Sequence, residues 1–410
     1  MPLANRRLQI ISWSRDSGPR CRVFVPVAMS PKLGELLTKI HQPSGSTVLL
    51  AMRRDQSVLS HGSGVIYEKD GAHFIATAWH NLSGRHSYTL SPLATQTLAI
   101  PNNVVVTFAQ FISGQVSGWT RLSFVLSLVK DDGAAYMVHP ERWPRADVAV
   151  LPIDLTATYT MEVNVTGEPQ RKMGIMLRGD HGPLKTTVQA IQQCLGTYRR
   201  VGVPPENLIH PGDELFILGY PRGITDHSVE PILKRATVAS DPHRGWDGQS
   251  KFLVDCASRE GMSGAPVISY NKRGTVSVGG MTHVGSGPAA ALQGIYVGRL
   301  IDPSTKEEDR LFEAQIGTVW KASVIEEIIE GNLFDVRSDD MMAGPDEVLA
   351  AIVENWPDDG KHHDRVMNIK GVDWGTAHNV LKALGGNANP FEVRKKVIEF
   401  AKAKQAQVAT

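Results

Sequence analysis

Between Thr47 and Val324 the chain is a succession of short apolar runs separated by turn residues. The runs are Val48–Met52, Gly64–Glu68, His73–Ala78, Val104–Phe108, Arg121–Val129, Val148–Ile153, Leu215–Gly219, Lys234–Ala239, Phe252–Asp255, Ala265–Ser269 and Gly294–Val297. Gly, Pro, Asn and Asp lie between them. Short strands at this spacing predict an all-β sandwich or barrel. A parallel α/β sheet would need helical crossovers between the strands, and helix-periodic segments are scarce here. Asp70-Gly71 predicts a hairpin turn, because both positions accept the positive φ that tight hairpins require.

One stretch in this pattern carries chemistry. Residues 252–268, FLVDCASREGMSGAPVI, place Gly261-Met262-Ser263-Gly264-Ala265-Pro266 between two apolar runs. Glycines on both sides of one serine suit a tight turn that pushes the hydroxyl out and leaves nearby N–H groups free. A serine nucleophile with an oxyanion hole needs that arrangement. A plain Gly/Ser/Pro loop between strands would read the same in isolation. The chemistry also needs a base and a group to orient it. Phe74-Ile75-Ala76-Thr77-Ala78-Trp79-His80-Asn81 is an apolar run ending in a histidine. Arg145-Ala146-Asp147-Val148-Ala149-Val150 sets an aspartate at the head of another. Competitors exist. Asp154 lies past the strand, Asp131 and Asp132 lie in a loop, His73 opens its strand, His86 sits among Gly and Ser, and Ser258 lacks flanking glycines.

The chain order His80, Asp147, Ser263 differs from the orders of subtilisin and the α/β-hydrolases. Over about residues 46–325 the sequence resembles the trypsin-like serine peptidases of bacterial intracellular type. The resemblance rests on Thr77-Ala78-Trp79-His80, Asp147-Val148-Ala149-Val150, Gly261-Met262-Ser263-Gly264-Ala265-Pro266, Gly212-Asp213-Glu214-Leu215-Phe216-Ile217-Leu218-Gly219-Tyr220-Pro221 and Leu292-Gln293-Gly294-Ile295-Tyr296. It implies two six-stranded antiparallel β-barrels of chymotrypsin type, with the site in the cleft between them. His80 and Asp147 would come from the first barrel and Ser263 from the second. Ser263 would be the nucleophile, His80 the base and Asp147 its orienter, with the N–H groups of Gly261 and Ser263 as the oxyanion hole. Ala257, Gly298 and Arg299 would line the substrate pocket. Ala257 stands where trypsin itself carries an acid, so a small or apolar residue is expected there, with an acidic one read by Arg299 second. Met262 replaces the aspartate that pairs with a new N-terminus in zymogen activation, so no such processing is expected. Asn81 stands where many secreted members have a cysteine.

Composition narrows the rest. The chain has 410 residues, 42% of them hydrophobic, and 43 basic against 42 acidic side chains give a net charge of +1. That balance calls for neither nucleic acid nor an anionic membrane. Cys21, Cys194 and Cys256 are too scattered for a disulfide framework or a metal site, and no cofactor is expected. No apolar run is long enough to span a membrane, and Leu8–Ile11 is too short for a secretory core. A cytoplasmic, reduced protein is expected.

Four segments are expected: an N-terminal extension, 1–45, with a short helix at Pro31–His41 and Met29 as an alternative start; a peptidase domain, 46–331, closed by a helix at Ala322–Glu330; an acidic linker, 332–345; and a small all-α domain, 346–410. Gln42–Ser46 reads as a linker or turn. Ser83–Gln96, Lys130–Trp143 and Asn164–Pro183 read as surface loops, and residues 271–290 as a Gly-rich insertion. The leading function is a serine endopeptidase acting on protein or peptide, with residues 346–410 docking a partner or a second copy. The alternative is a non-catalytic peptide- or protein-binding module on the same fold. An ester hydrolase on an unrelated α/β fold is a third reading, opposed by the residue order.

Overall fold

The structure is a computed structural model. It describes residues 42–336, except 88, 113–117, 131–132, 164–170, 177–189, 192–193, 196–203, 226–229, 279–280, 286–287 and 301–314. The helix expected at Pro31–His41 and the helical domain expected at 346–410 lie outside the described residues. No helix among the described residues is long and apolar enough to cross a membrane.

A short helix, α1 (Gln42–Ser46), opens the described chain where a turn was expected. Pro43 pre-sets its first turn, and its carbonyl accepts from the hydroxyls of Ser46 at 3.1 Å and Thr47 at 2.7 Å. The strands of the first half follow: β1 (Thr47–Arg54), β2 (Ser57–Lys69), β3 (Ala72–Thr77), β4 (Asn103–Ile112), β5 (Gly118–Ser127), β6 (Val129–Lys130), β7 (Gly133–Ala134), β8 (Met137–Val138), β9 (Ala149–Ile153), β10 (Thr158–Val163) and β11 (Arg171–Met176). The helix α2 (Trp79–Ser83) interrupts them after β3. The second half holds β12 (Cys194–Leu195), β13 (Glu214–Gly219), β14 (Ile232–Val238), β15 (Lys251–Asp255), β16 (Ala265–Asn271), β17 (Thr275–Val278), β18 (Met281–Val284), β19 (Ala289–Arg299) and β20 (Ile316–Lys321). The helix α3 (Ser323–Gly331) and β21 (Leu333–Phe334) come last.

Of the expected pair of six-stranded barrels, one closes among the described residues. In the second half β19, β16, β13, β14, β15 and β20 pair in turn, and β20 returns to β19, so a six-stranded barrel closes. In the first half nine strands, joined by β21, form one antiparallel sheet of ten, in the order β11-β10-β5-β4-β1-β2-β3-β9-β8-β21, while β6 and β7 pair apart from it. Among the described residues no pairing joins its ends. Only closure removes a sheet's free edges.

Strand alternation explains how the halves join. In β2, β3 and β9, successive side chains point to opposite faces. Ile66, Ile75, Ala149 and Leu151 fill the core of the first half, with Val48, Leu50, Val106, Phe108 and Phe124. Their neighbours Val65, Tyr67, Phe74, Ala76, Val148 and Val150 face the other way and share a core with Leu218, Ile268, Ile295 and Trp320 of the barrel. A fully buried side chain of this size contributes about 1.5–3 kcal/mol, so this shared core fixes the two halves against each other. The helix α3 seals it with Val324, Ile325 and Ile328. Tyr67 donates to Glu326 at 2.6 Å, and His139 pairs with Glu327 at 2.8 Å.

Several loop assignments need correction. In place of the surface loop expected at 130–143, Ala134, Tyr136, Met137, Val138 and Trp143 are buried and β8 pairs with β9. The apolar run Ala134-Ala135-Tyr136-Met137-Val138 has a core to fill, and it does so in two-residue strands. Residues 171–176, inside another expected loop, form β11 against β10. The expected insertion at 271–290 contains the β17–β18 hairpin. Residues 333–334, inside the expected linker, pair with β8. The next residue, Asp335, accepts from the Trp79 indole at 2.7 Å. The Asp70-Gly71 hairpin forms as expected, with φ of 52° and 80°.

Candidate active site

The histidine comes from a strand that stops abruptly. β3 ends at Thr77, Ala78 is extended, and His80 falls in the first turn of α2, which Gly84 terminates in the left-handed region. The side chain of Asp147 reaches this turn from the residue pair that precedes β9. One carboxylate oxygen accepts from the His80 backbone N–H at 3.0 Å, and the other meets His80 Nδ1 at 2.8 Å. A buried carboxylate is costly unless hydrogen-bonded, and Asp147 is 8% exposed. Bonds of this charged kind contribute about 1.5–3 kcal/mol each. Both also fix the ring, with Nε2 turned away from the acid. Burial works against the imidazolium, but the Asp147 charge and its hydrogen bond outweigh burial, so the His80 pKa stands above its ordinary 6.5.

The serine sits between β15 and β16, in a turn that needs glycine at two positions. Gly261 and Gly264 both have φ of 86°. A Cβ at Gly261 would lie 2.4 Å from the Tyr220 carbonyl, and one at Gly264 would lie 2.0 Å from the Ser63 carbonyl. Met262, between them, is wholly buried in the barrel core. The Ser263 hydroxyl donates to the Val297 carbonyl at 3.1 Å, not to His80. Its rotation about χ1 is free of other hydrogen bonds among the described residues. No acceptor among the described residues takes the N–H of Gly261 or of Ser263. Ser263, Gly261 and His80 line one cleft of about 530 Å³.

The residues that hold this turn were not among those singled out from the sequence. Ser63, wholly buried, donates its N–H to the Ser263 carbonyl at 2.8 Å. Its hydroxyl donates to the Gly261 carbonyl at 2.7 Å and accepts from the Tyr220 N–H at 3.0 Å. Its own carbonyl accepts from the Thr77 hydroxyl at 2.7 Å. Asn81 donates to the Ser263 carbonyl at 2.9 Å and to the Thr77 hydroxyl at 3.0 Å. Ser63 lies in Gly62-Ser63-Gly64, a serine between glycines much as Ser263 lies in Gly261-Met262-Ser263-Gly264.

The three residues expected to line the substrate pocket are not in that cleft. Ala257 is exposed beyond β15, while Gly298 and Arg299 lie half-buried at the end of β19. What fills the barrel beside them is Tyr296. Its ring would touch a Cβ at Gly317 at 2.3 Å, and its hydroxyl pairs closely with Ser258. Burial raises the Tyr296 pKa, so it stays a neutral phenol, and burial likewise raises that of the Cys256 thiol. The competing residues lie elsewhere. Asp154 caps its own turn through Thr156. His73 pairs within the β3–β9 ladder, opposite Ile153. His86 accepts from the Thr89 N–H, and Asp131 and Asp132 lie outside the described residues. No cluster of three metal-binding side chains occurs among the described residues.

An antiparallel β protein whose two halves meet at a histidine–carboxylate pair and a glycine-flanked serine belongs, in architecture and site, with the peptidases of chymotrypsin-like fold. The family described as trypsin-like peptidase domain matches residues 62–277. The chain belongs to that family and is a serine endopeptidase, a hydrolase. No curated protein matches the chain in sequence. Among solved structures, a serine endoprotease from Yersinia pestis matches at 14% identity over 74% of this chain and 67% of its own, with a TM-score of 0.35. An inactive, mutant form of a protein from M. tuberculosis H37Rv matches at 15% identity over 75% of this chain and 96% of its own, with a TM-score of 0.33.

Proposed function

We propose that this chain hydrolyses peptide bonds through a His80–Asp147–Ser263 triad, with the N–H groups of Gly261 and Ser263 as the oxyanion hole. The observation that carries the reading is the double grip of Asp147 on the His80 backbone and ring, beside a cleft that Ser263 shares. Ser263 would attack the scissile carbonyl after turning from Val297 to His80. His80 would take the proton at Nε2 and pass it to the leaving amine. Asp147 would keep Nδ1 protonated and stabilise the imidazolium. The two N–H groups would receive the developing oxyanion, a role whose loss typically costs ~10²–10³ in rate per donor.

One observation favours the alternative, a non-catalytic binding module: the Ser263 hydroxyl bonds Val297 rather than His80. A fluorophosphonate separates the two. An activated Ser263 should be labelled, and a binding module should not. The pH profile adds a second readout. His80 acts as a base only when neutral, so kcat/KM should fall as pH drops through its raised pKa. The acid limb should therefore have its midpoint above 6.5. A flat profile through pH 6–8 would remove His80 from the role.

The proposal includes a cytoplasmic place of action, supported by the free, buried thiol of Cys256. It also includes a partner, or a second copy, recruited through residues 346–410. Residues 29–338 should then differ from the full chain in oligomeric state or in rate on a protein substrate. Identity in both would remove the recruiting role.

A further inference from the structure

Selection of the substrate can be placed relative to the scissile bond. The pairing of β19 with β16 ends at Tyr296 opposite Ala265, while β20 occupies the other edge of β19. Among the described residues Val297, Gly298 and Arg299 therefore present an edge on the Ser263 side without a strand partner, suited to an added extended peptide. Beneath that edge Tyr296 occupies the barrel interior, which leaves little depth for an acyl-side side chain. The open space is elsewhere. The cleft of about 530 Å³ is lined by His80 and by residues from the helix and loop that follow it, and none of residues 297–299 lines it. The proton for the leaving amine comes from His80, so this is the side on which the leaving group departs.

The walls of the cleft define what it takes. Leu59, Leu93 and Pro101 give it an apolar lining. Leu93 is 46% exposed, so its side chain offers apolar surface to whatever enters the cleft. The mouth carries His61, Arg222 and Glu260, a mixture of charges that gives no single sign to select. Arg222 holds the left-handed conformation, φ 54° and ψ 28°, with its N–H bonded to the Glu260 carbonyl at 2.7 Å. A non-glycine residue held there is the kind of backbone outlier that collects at binding sites. The volume is that of an ordinary ligand pocket.

We propose that this peptidase selects its substrates chiefly by an apolar side chain on the residue that follows the scissile bond, received by the cleft of Leu59, Leu93 and Pro101. The inference rests on the peptidase reading above. The test uses the full-length protein and a peptide series with a fixed acyl half, in which the following residue is Leu, Phe, Gly, Asp or Lys. Fluorophosphonate labelling of Ser263 is measured in parallel. Leu and Phe should exceed Gly and Asp by ~10-fold or more in kcat/KM, the range that one apolar subsite supplies. In Leu93→Glu the ratio of Lys to Leu, read within that variant, should rise by ~10-fold. A labelled enzyme that cleaves all five peptides within ~2-fold would overturn the inference and leave the peptidase reading standing. Absence of both labelling and cleavage would overturn the two together.

Discussion

Ser263→Ala should lower kcat by ~10⁶-fold and leave the fold unchanged. The magnitude is that of removing the nucleophile from a serine–histidine unit, where the remaining acceleration comes from binding and the oxyanion hole alone. The fold should survive because the hydroxyl makes a single hydrogen bond, to Val297. Losing one such bond costs about 1 kcal/mol. The backbone of Ser263, which Ser63 and Asn81 hold, is untouched by the change. Ser258 offers no substitute nucleophile, since it is 3% exposed and paired with Tyr296. Residual activity and melting temperature of the purified variant check the two halves of the statement. A folded variant with full activity would sink the assignment of the nucleophile.

Asp147→Asn should lower kcat by ~10⁴-fold, whereas Asp154→Asn should change it by less than ~2-fold. An asparagine at 147 keeps the volume and one acceptor but presents an N–H₂ to the ring, which favours the wrong tautomer of His80. It also removes the negative charge that raises the His80 pKa, so the acid limb of any remaining activity should move to lower pH. Asp154 makes its hydrogen bonds to Thr156 in an exposed turn, and those bonds hold its carboxyl below the usual range. Equal rates in the two variants would mean that another acid serves His80.

Much of this was legible in the sequence because it is local. Each candidate site residue sits in a short stretch that announces itself, such as Trp79-His80 after an apolar run or Gly261 and Gly264 around Ser263. The strand list from Val48 to Val297 likewise depends on alternation within a few residues. What escaped depends on contacts across the chain. Ser63 acts on residues nearly two hundred positions away, and no periodicity points to it. Position relative to Ser263 and to the strand at 292–296 singled out Ala257, Gly298 and Arg299, but the Tyr296 ring that fills the barrel beside them depends on packing across the chain. Two-residue strands such as β8 and β21 are too short to show a period. Closure of a sheet depends on the pairing of distant strand ends, which strand propensity does not encode.

The hydroxyl of Ser63 ties a glycine of the Ser263 turn to a backbone amide of the barrel, from a strand that belongs to the other half. The Ser263 turn is thus clamped between two bodies rather than carried by one. Its geometry is a readout of their docking. A change of solvent or a bound partner that slides one half against the other, while each keeps its sheet intact, would disorganise the turn first. Catalytic competence would then vanish at a lower denaturant concentration than the β-sheet signal, because local openings cost less than global unfolding.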